Sequence, residues 1–232
     1  MIRRVVGIHF SPVGGTARMT DRLTQQLAEI LRDCSPEPVE TETYELLRLG
    51  DDRIILDEET VAVLGVPVYV GKVPIPAIKA LKNINANGAV AVAAVSYGAR
   101  TYGNALYELQ HFAEDRGFRV VGAGAFSVRY NRRLRGRGTG SGNVHDGADA
   151  AGSTMYSGDV RALTEFGTAV AGKIKRLAGC EIEGLKIKPA PLEVSGRLPI
   201  HRMSRVSPKA AAIAQGMLER IAVRRRESEW FL

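Results

Sequence analysis

The chain predicts an α/β fold built as a doubly wound parallel sheet. Three observations carry this reading. Short apolar runs bounded by turn residues recur along the first 130 residues, as buried strands do. Between them lie stretches with apolar positions three and four residues apart, the period of an amphipathic helix. The two patterns alternate with short connections, and strand–helix–strand units of that kind cross over right-handed into a sheet covered on both faces.

Residues 3–10 are rich in β-branched and apolar side chains and end at Ser11-Pro12, so they predict a buried strand running into a turn. Met19, Leu23, Leu27, Ile30 and Leu31 then share one helical stripe up to about residue 33, and Pro36 and Pro38 stop it. Residues 39–46 alternate weakly and predict an edge strand, followed by a turn at Gly50-Asp51-Asp52. Residues 60–66 are a continuous apolar run, an inner strand. A loop over 67–76 leads into a short helix ending near Leu81, and Asn85, Asn87 and Gly88 mark a further turn. Residues 89–95 predict the next buried strand and 96–103 a loop. Ala105, Leu106, Leu109, Phe112 and Ala113 form a helical stripe, and residues 118–126 predict a fifth strand. The alternation breaks over 129–157, rich in Gly and Arg, which reads as long and without regular structure. Helices are expected again over 159–177 and 209–225, with prolines 189, 191 and 199 punctuating the stretch between. The expected division is a domain over 1–180 and a basic C-terminal extension over 181–232.

Composition bounds the function. The chain has 232 residues, 45% hydrophobic and 25% charged, enough apolar mass for a substantial core. Two cysteines, Cys34 and Cys180, are too few for a disulfide framework or an iron–sulfur cluster, which takes about four thiolates. The four histidines show no metal-ligand spacing, and His9 in the first strand reads as a packed core residue. No apolar run reaches the roughly 18 residues of a membrane span, and the chain starts directly on a strand, so a cytoplasmic location is expected. The net charge of +7 is unevenly placed: residues 1–128 carry −2, residues 129–196 carry +4 and residues 197–232 carry +5. The basic excess therefore belongs to a loop and a tail, not to the first half of the chain.

Three loops could carry chemistry. Ser11-Pro12-Val13-Gly14-Gly15-Thr16 joins the first strand to the first helix. Its glycines allow close backbone approach, its hydroxyls donate, and the opening helix adds a partial positive charge, which together suit one phosphate. It lacks the lysine of a Walker A loop and the spacing of the dinucleotide fingerprint; an ordinary capped turn is the alternative. Pro67-Val68-Tyr69-Val70-Gly71-Lys72-Val73-Pro74 and Tyr97-Gly98-Ala99-Arg100-Thr101-Tyr102-Gly103 leave the carboxyl ends of central strands, where open α/β sheets bind ligands. Tyr69, Tyr97 and Tyr102 suit a planar aromatic ligand, or else pack on the sheet rim.

These three loops, together with Gly103-Asn104-Ala105-Leu106-Tyr107-Glu108-Leu109 and Glu165-Phe166-Gly167, resemble the flavodoxin-like domain of flavodoxin–ferredoxin fusion proteins, over about residues 3–178. The resemblance implies a flavodoxin-like sheet of five strands in the order 2-1-3-4-5 and FMN at its carboxyl edge. Carried over, Ser11, Val13, Gly14, Gly15 and Thr16 would hold the phosphate. Pro67, Val68, Tyr69, Val70 and Gly71 would lie along one side of the ring, and Tyr97, Gly98, Arg100, Tyr102 and Gly103 along the other. The ferredoxin cysteines of those relatives are absent here, so an electron partner would be a separate protein or a small redox acceptor. The implied activity is electron transfer, extended in an enzymatic version to reduction of a quinone or another flavin with electrons from a reduced nicotinamide. The competing reading keeps the fold, loses the flavin, and uses the basic loop and tail to dock a protein or nucleic-acid partner.

Arg129, Arg132, Arg133, Arg135 and Arg137 fall within nine residues without one acid. A solvated loop ranks first for this run, docking of an acidic partner second, and nucleic acid last, because no aromatic residues interleave it. The terminal Trp230-Phe231-Leu232 either folds back onto the domain or docks on a second subunit in a homodimer.

Overall fold

The computed structural model describes residues 2–35, 37–50, 52–98, 101–130, 153–155, 157–179, 192–196 and 229–232. Among them the strands are β1 (Arg4–His9), β2 (Glu40–Glu45), β3 (Ile54–Asp57), β4 (Thr60–Pro67), β5 (Ile84–Asn87), β6 (Val90–Tyr97), β7 (Arg119–Tyr130), β8 (Ser153–Met155) and β9 (Glu229–Phe231). The helices are α1 (Gly15–Leu31), extended by one 3-10 turn over Arg32–Cys34, α2 (Ile75–Leu81), α3 (Ala105–Asp115) and α4 (Ser157–Leu177).

Five strands form the parallel sheet in the order β2-β1-β4-β6-β7, which is the flavodoxin-like order 2-1-3-4-5. The residues dictate this arrangement. Every residue of β4 and β6 is buried, as a central parallel strand with helices on both faces requires. Along β1 the side chains alternate between two cores. Val6 and Ile8, with Phe10 just beyond the strand, belong to the core that also holds Ile78 and Leu81 of α2 and Leu106 and Leu109 of α3. Val5 belongs to the other core, with Met19, Leu23 and Leu27 of α1 and Phe166 and Val170 of α4. Gln26 fastens α1 to α4 by donating to the Thr164 carbonyl at 2.8 Å.

The structure differs from the sequence reading in three places. The turns expected near 50–52 and 85–88 are followed and occupied by β3 and β5, which pair with each other in a separate two-stranded parallel sheet. Both are four residues long and polar in part, too short for a periodic signal. β7 runs on to Tyr130 rather than ending at Phe126. The segment read as structureless contributes β8, which pairs antiparallel with residues 128–130. Its Gly and Arg content masked the short strand-forming stretches at its ends. The terminal Trp230-Phe231-Leu232 folds back onto the domain, the first of its two readings: β9 pairs antiparallel with residues 123–125 of β7. The helix expected over 209–225 and the arginines at 132–137 lie outside the described residues.

Two described pieces of the C-terminal extension pack on the domain. Leu192 and Val194 are buried in the same core as α3, and the Gln110 amide donates to the Leu192 carbonyl at 2.6 Å. No described helix is long and apolar enough to cross a membrane.

Candidate functional site

The three loops named from the sequence leave the carboxyl ends of β1, β4 and β6, at the switch point where the chain winds to either side. In the first, Gly14 adopts a left-handed conformation (φ 84°) as the residue before α1. That turn opens the helix start, whose first amides lack intrahelical partners. Ser11 is buried and its Oγ accepts the Ala17 N–H at 2.9 Å. Because that bond uses a lone pair, the Ser11 hydroxyl keeps its own proton to donate. Thr16 is 2% exposed and its Oγ1 lies 2.7 Å from Ser96 Oγ. Val13 and Gly15 complete the turn, half-buried and buried respectively.

In the second loop Pro67 ends β4 opposite Ser96. The Val68 N–H donates to the Ser96 carbonyl at 2.8 Å. Tyr69 and Lys72 then close a two-residue turn, with N–H donations at 2.9 and 3.2 Å in the two directions. Both central residues are left-handed, Val70 at φ 54° and Gly71 at φ 73°. Glycine accepts this; a β-branched residue there is an outlier. Val70 is also 49% exposed, an apolar side chain held outward at the tip.

In the third loop Tyr97 and Tyr102 are buried and pack on each other, ring centroids 5.8 Å apart at 60°. That contact leaves no gap for a planar ligand between this particular pair. Gly98 is half-buried; Arg100 lies outside the described residues. Gly103 (φ 57°) touches the second loop: a Cβ on it would stand 2.6 Å from the Gly71 oxygen and 2.7 Å from the Gly71 Cα. The Asn104 N–H donates to that same Gly71 oxygen at 2.8 Å. Ser96 thus ties the first and second loops to β6, and Gly71 ties the second loop to the third.

Polar groups at the site divide into bonded and orphaned. Tyr69 is 9% exposed, and its buried Oη has no partner among the described residues. Burial pushes its phenol up to about 12, further from ionisation than the ordinary value of 10. Behind the first loop, His9 is buried with Nδ1 unpartnered, and Asp21 on α1 has a buried Oδ1 without a partner. Burial pushes the Asp21 carboxyl up, and the nearby His9 opposes part of that shift. Among the described residues no group of three His, Cys, Asp or Glu could hold a metal ion.

The sequence assigned no site role to Ser96, Asn104 or Glu108, although Asn104 and Glu108 stand in the motif after the third loop. Ser96 left a signal: it is the first hydroxyl residue after an unbroken apolar strand. Glu108 left none, since a glutamate in a first helical turn ordinarily faces solvent.

No family model and no curated protein matches the chain. Among solved structures it is similar to a flavodoxin from the domain Archaea, at 14% identity and a TM-score of 0.48 over 74% of this chain and 99% of that one. It is also similar to the rubredoxin oxygen:oxidoreductase of the anaerobe Desulfovibrio gigas, at 14% identity and a TM-score of 0.40, over 75% of this chain. The matched region spans 36% of that oxidoreductase.

Proposed function

We propose that the chain is an FMN-binding electron-transfer protein with the flavin at the carboxyl edge of its sheet. The observation that carries the proposal is the meeting of three ligand-type loops at the switch point of a 2-1-3-4-5 sheet, the place where that topology binds FMN. The donor set fits such a group. The Ser11 hydroxyl has a proton to give, the left-handed Gly14 opens a helix start to an anion, and the buried Tyr69 Oη wants an acceptor.

In this reading Ser11, Val13, Gly14, Gly15 and Thr16 hold the phosphate. Pro67 to Gly71 flank the ring on one side, with Val70 as the exposed apolar contact, and Tyr97 to Gly103 flank it on the other. Tyr69, a phenol that is neutral at pH 7 and that burial makes harder still to ionise, acts as a donor and not as a base. When bound, FMN supplies one- and two-electron transfer, while the protein supplies orientation and electrostatics. The chain is then a relative of the flavodoxin–ferredoxin fusion proteins without their clusters, since it has two cysteines in all. Its electron partner is a separate protein or a small acceptor.

The test is direct. Purified chain incubated with FMN and passed through gel filtration should stay yellow, with flavin fluorescence quenched. No retained flavin at tens of micromolar FMN would overturn the proposal. Oxidation of a reduced nicotinamide with a quinone present then decides whether transfer is also enzymatic.

A further inference from the structure

Glu108 has no part in the reading above, yet it is 1% exposed. It is the fourth residue of α3, and carboxylates so deep are bonded or paired, because an isolated buried charge is prohibitive. Its Oε2 accepts the backbone N–H of Val73 at 2.8 Å in the protein interior. A bond from a carboxylate to an amide is roughly twice as strong as a neutral one. The start of a helix is also where its macrodipole favours a negative charge.

The bond crosses from α3 to the loop between β4 and α2, and it does not act alone. The residue before α3, Asn104, donates its N–H to Gly71 in the same loop at 2.8 Å. The start of α3 therefore grips this loop on both sides of Lys72. Val68, bonded to Ser96 at 2.8 Å, is the anchor at the other end. Between the anchors sits the turn of Tyr69, Val70, Gly71 and Lys72. Val70 keeps its left-handed φ of 54° there. A β-branched residue holds such a conformation only where its surroundings over-determine it.

We propose that Glu108 is the positioning residue of the candidate site. It touches no ligand; it holds the Tyr69–Lys72 turn against the start of α3, so the ligand edge has its shape before a ligand arrives. The cause rests on loop geometry alone, and the consequence for binding rests on the FMN reading.

The experiment uses the full chain with Glu108→Ala, Glu108→Asp and Glu108→Gln. Backbone amide exchange is followed residue by residue without ligand, and FMN affinity by flavin fluorescence. Alanine removes the acceptor and aspartate withdraws it by one methylene. Both should speed exchange at Val73 and Asn104 and weaken FMN, each by about tenfold or more. Exchange at Val92 and Ala93 in the middle of β6 should not move. Glutamine, which keeps an acceptor oxygen at the same reach but loses the charge, should restore a large part of both readouts, well above the alanine and aspartate levels. Unchanged exchange at Val73 in the alanine or aspartate variant overturns the proposal. So does equal acceleration throughout β6, which would mark a purely structural residue. If the alanine variant does not fold, the aspartate and glutamine pair decides in the same way. If the wild type binds no FMN, the FMN reading falls, while the exchange data still decide the role of Glu108.

Discussion

Thr16 Oγ1 and Ser96 Oγ lie 2.7 Å apart, both buried, and join the first turn of α1 to the carboxyl end of β6. Two hydroxyls sharing one bond leave one proton over for a third group. Thr16→Ala or Ser96→Ala alone leaves a buried hydroxyl short of a partner and should cost about 1 kcal/mol in urea unfolding. The double variant should cost less than the two singles added, because the orphan is then removed. If the spare proton serves the phosphate, Thr16→Ala weakens FMN more than riboflavin. Equal weakening of both flavins would confine Thr16 to its bond with Ser96.

Val70 and Gly103 make opposite predictions about the same turn. Gly103 is left-handed, and a Cβ there would meet Gly71 backbone atoms at 2.6 and 2.7 Å, where nothing flexible can yield. Gly103→Ala should therefore cost about 2 kcal/mol or more and weaken FMN along with stability. Val70→Asn places a residue that tolerates the left-handed region where a valine is strained. It should raise stability by about 1 kcal/mol. If the exposed Val70 side chain contacts the flavin ring, the same variant binds FMN less tightly, so that stability and affinity move apart. Urea midpoints and flavin titrations on the same samples read both effects.

Asp21 predicts a pH dependence with a definite sign. Burial raises its carboxyl above the ordinary value of 3.8. Below that value the carboxyl is protonated in both folded and unfolded chains, and its burial costs no charge. As pH rises from 3.8 to the raised folded value, the unfolded chain ionises first and stability falls. Above that window the penalty is complete. Asp21→Asn removes it, so the variant should gain stability over wild type at pH 7, and the gain should shrink towards pH 3. A gain that grew instead on acidification would mean that attraction between Asp21 and His9 outweighs the desolvation of the carboxyl.

How far the sequence could be read follows from where each interaction originates. β1, β4 and β6 are local apolar runs, and α1 is a local stripe, so period and composition find them. The loops at their ends carry glycine and proline, whose conformational roles are visible one residue at a time. Val70 in a left-handed turn was not visible, because a sequence would place asparagine or glycine there. Glu108 was hidden for another reason: its partner, the Val73 amide, lies 35 positions away, and no local pattern encodes a bond to a backbone group. β8 and β9 are three residues each and exist only because β7 offers an unpaired edge.

That edge gives the last prediction. Trp230 packs on Phe166 with ring centroids 6.0 Å apart, and Phe166 packs in turn on Phe126 at 5.4 Å. Trp230 is the chain's single tryptophan and is 38% exposed, so its emission reports on the seating of β9 against Phe166. Phe231→Pro removes an N–H from the strand, fixes its φ and takes away a half-buried ring that packs against the core, so it should unseat β9. The expected results are a red-shifted Trp230 emission and a stability loss of about 2 kcal/mol, from three paired residues and the packing of the Phe231 ring. Phe166→Ala, which also takes the ring from beneath Trp230, should shift the emission likewise but cost about 3–5 kcal/mol, since it empties a core position. Emission unchanged by Phe231→Pro would mean that the terminal strand does not occupy the β7 edge in solution.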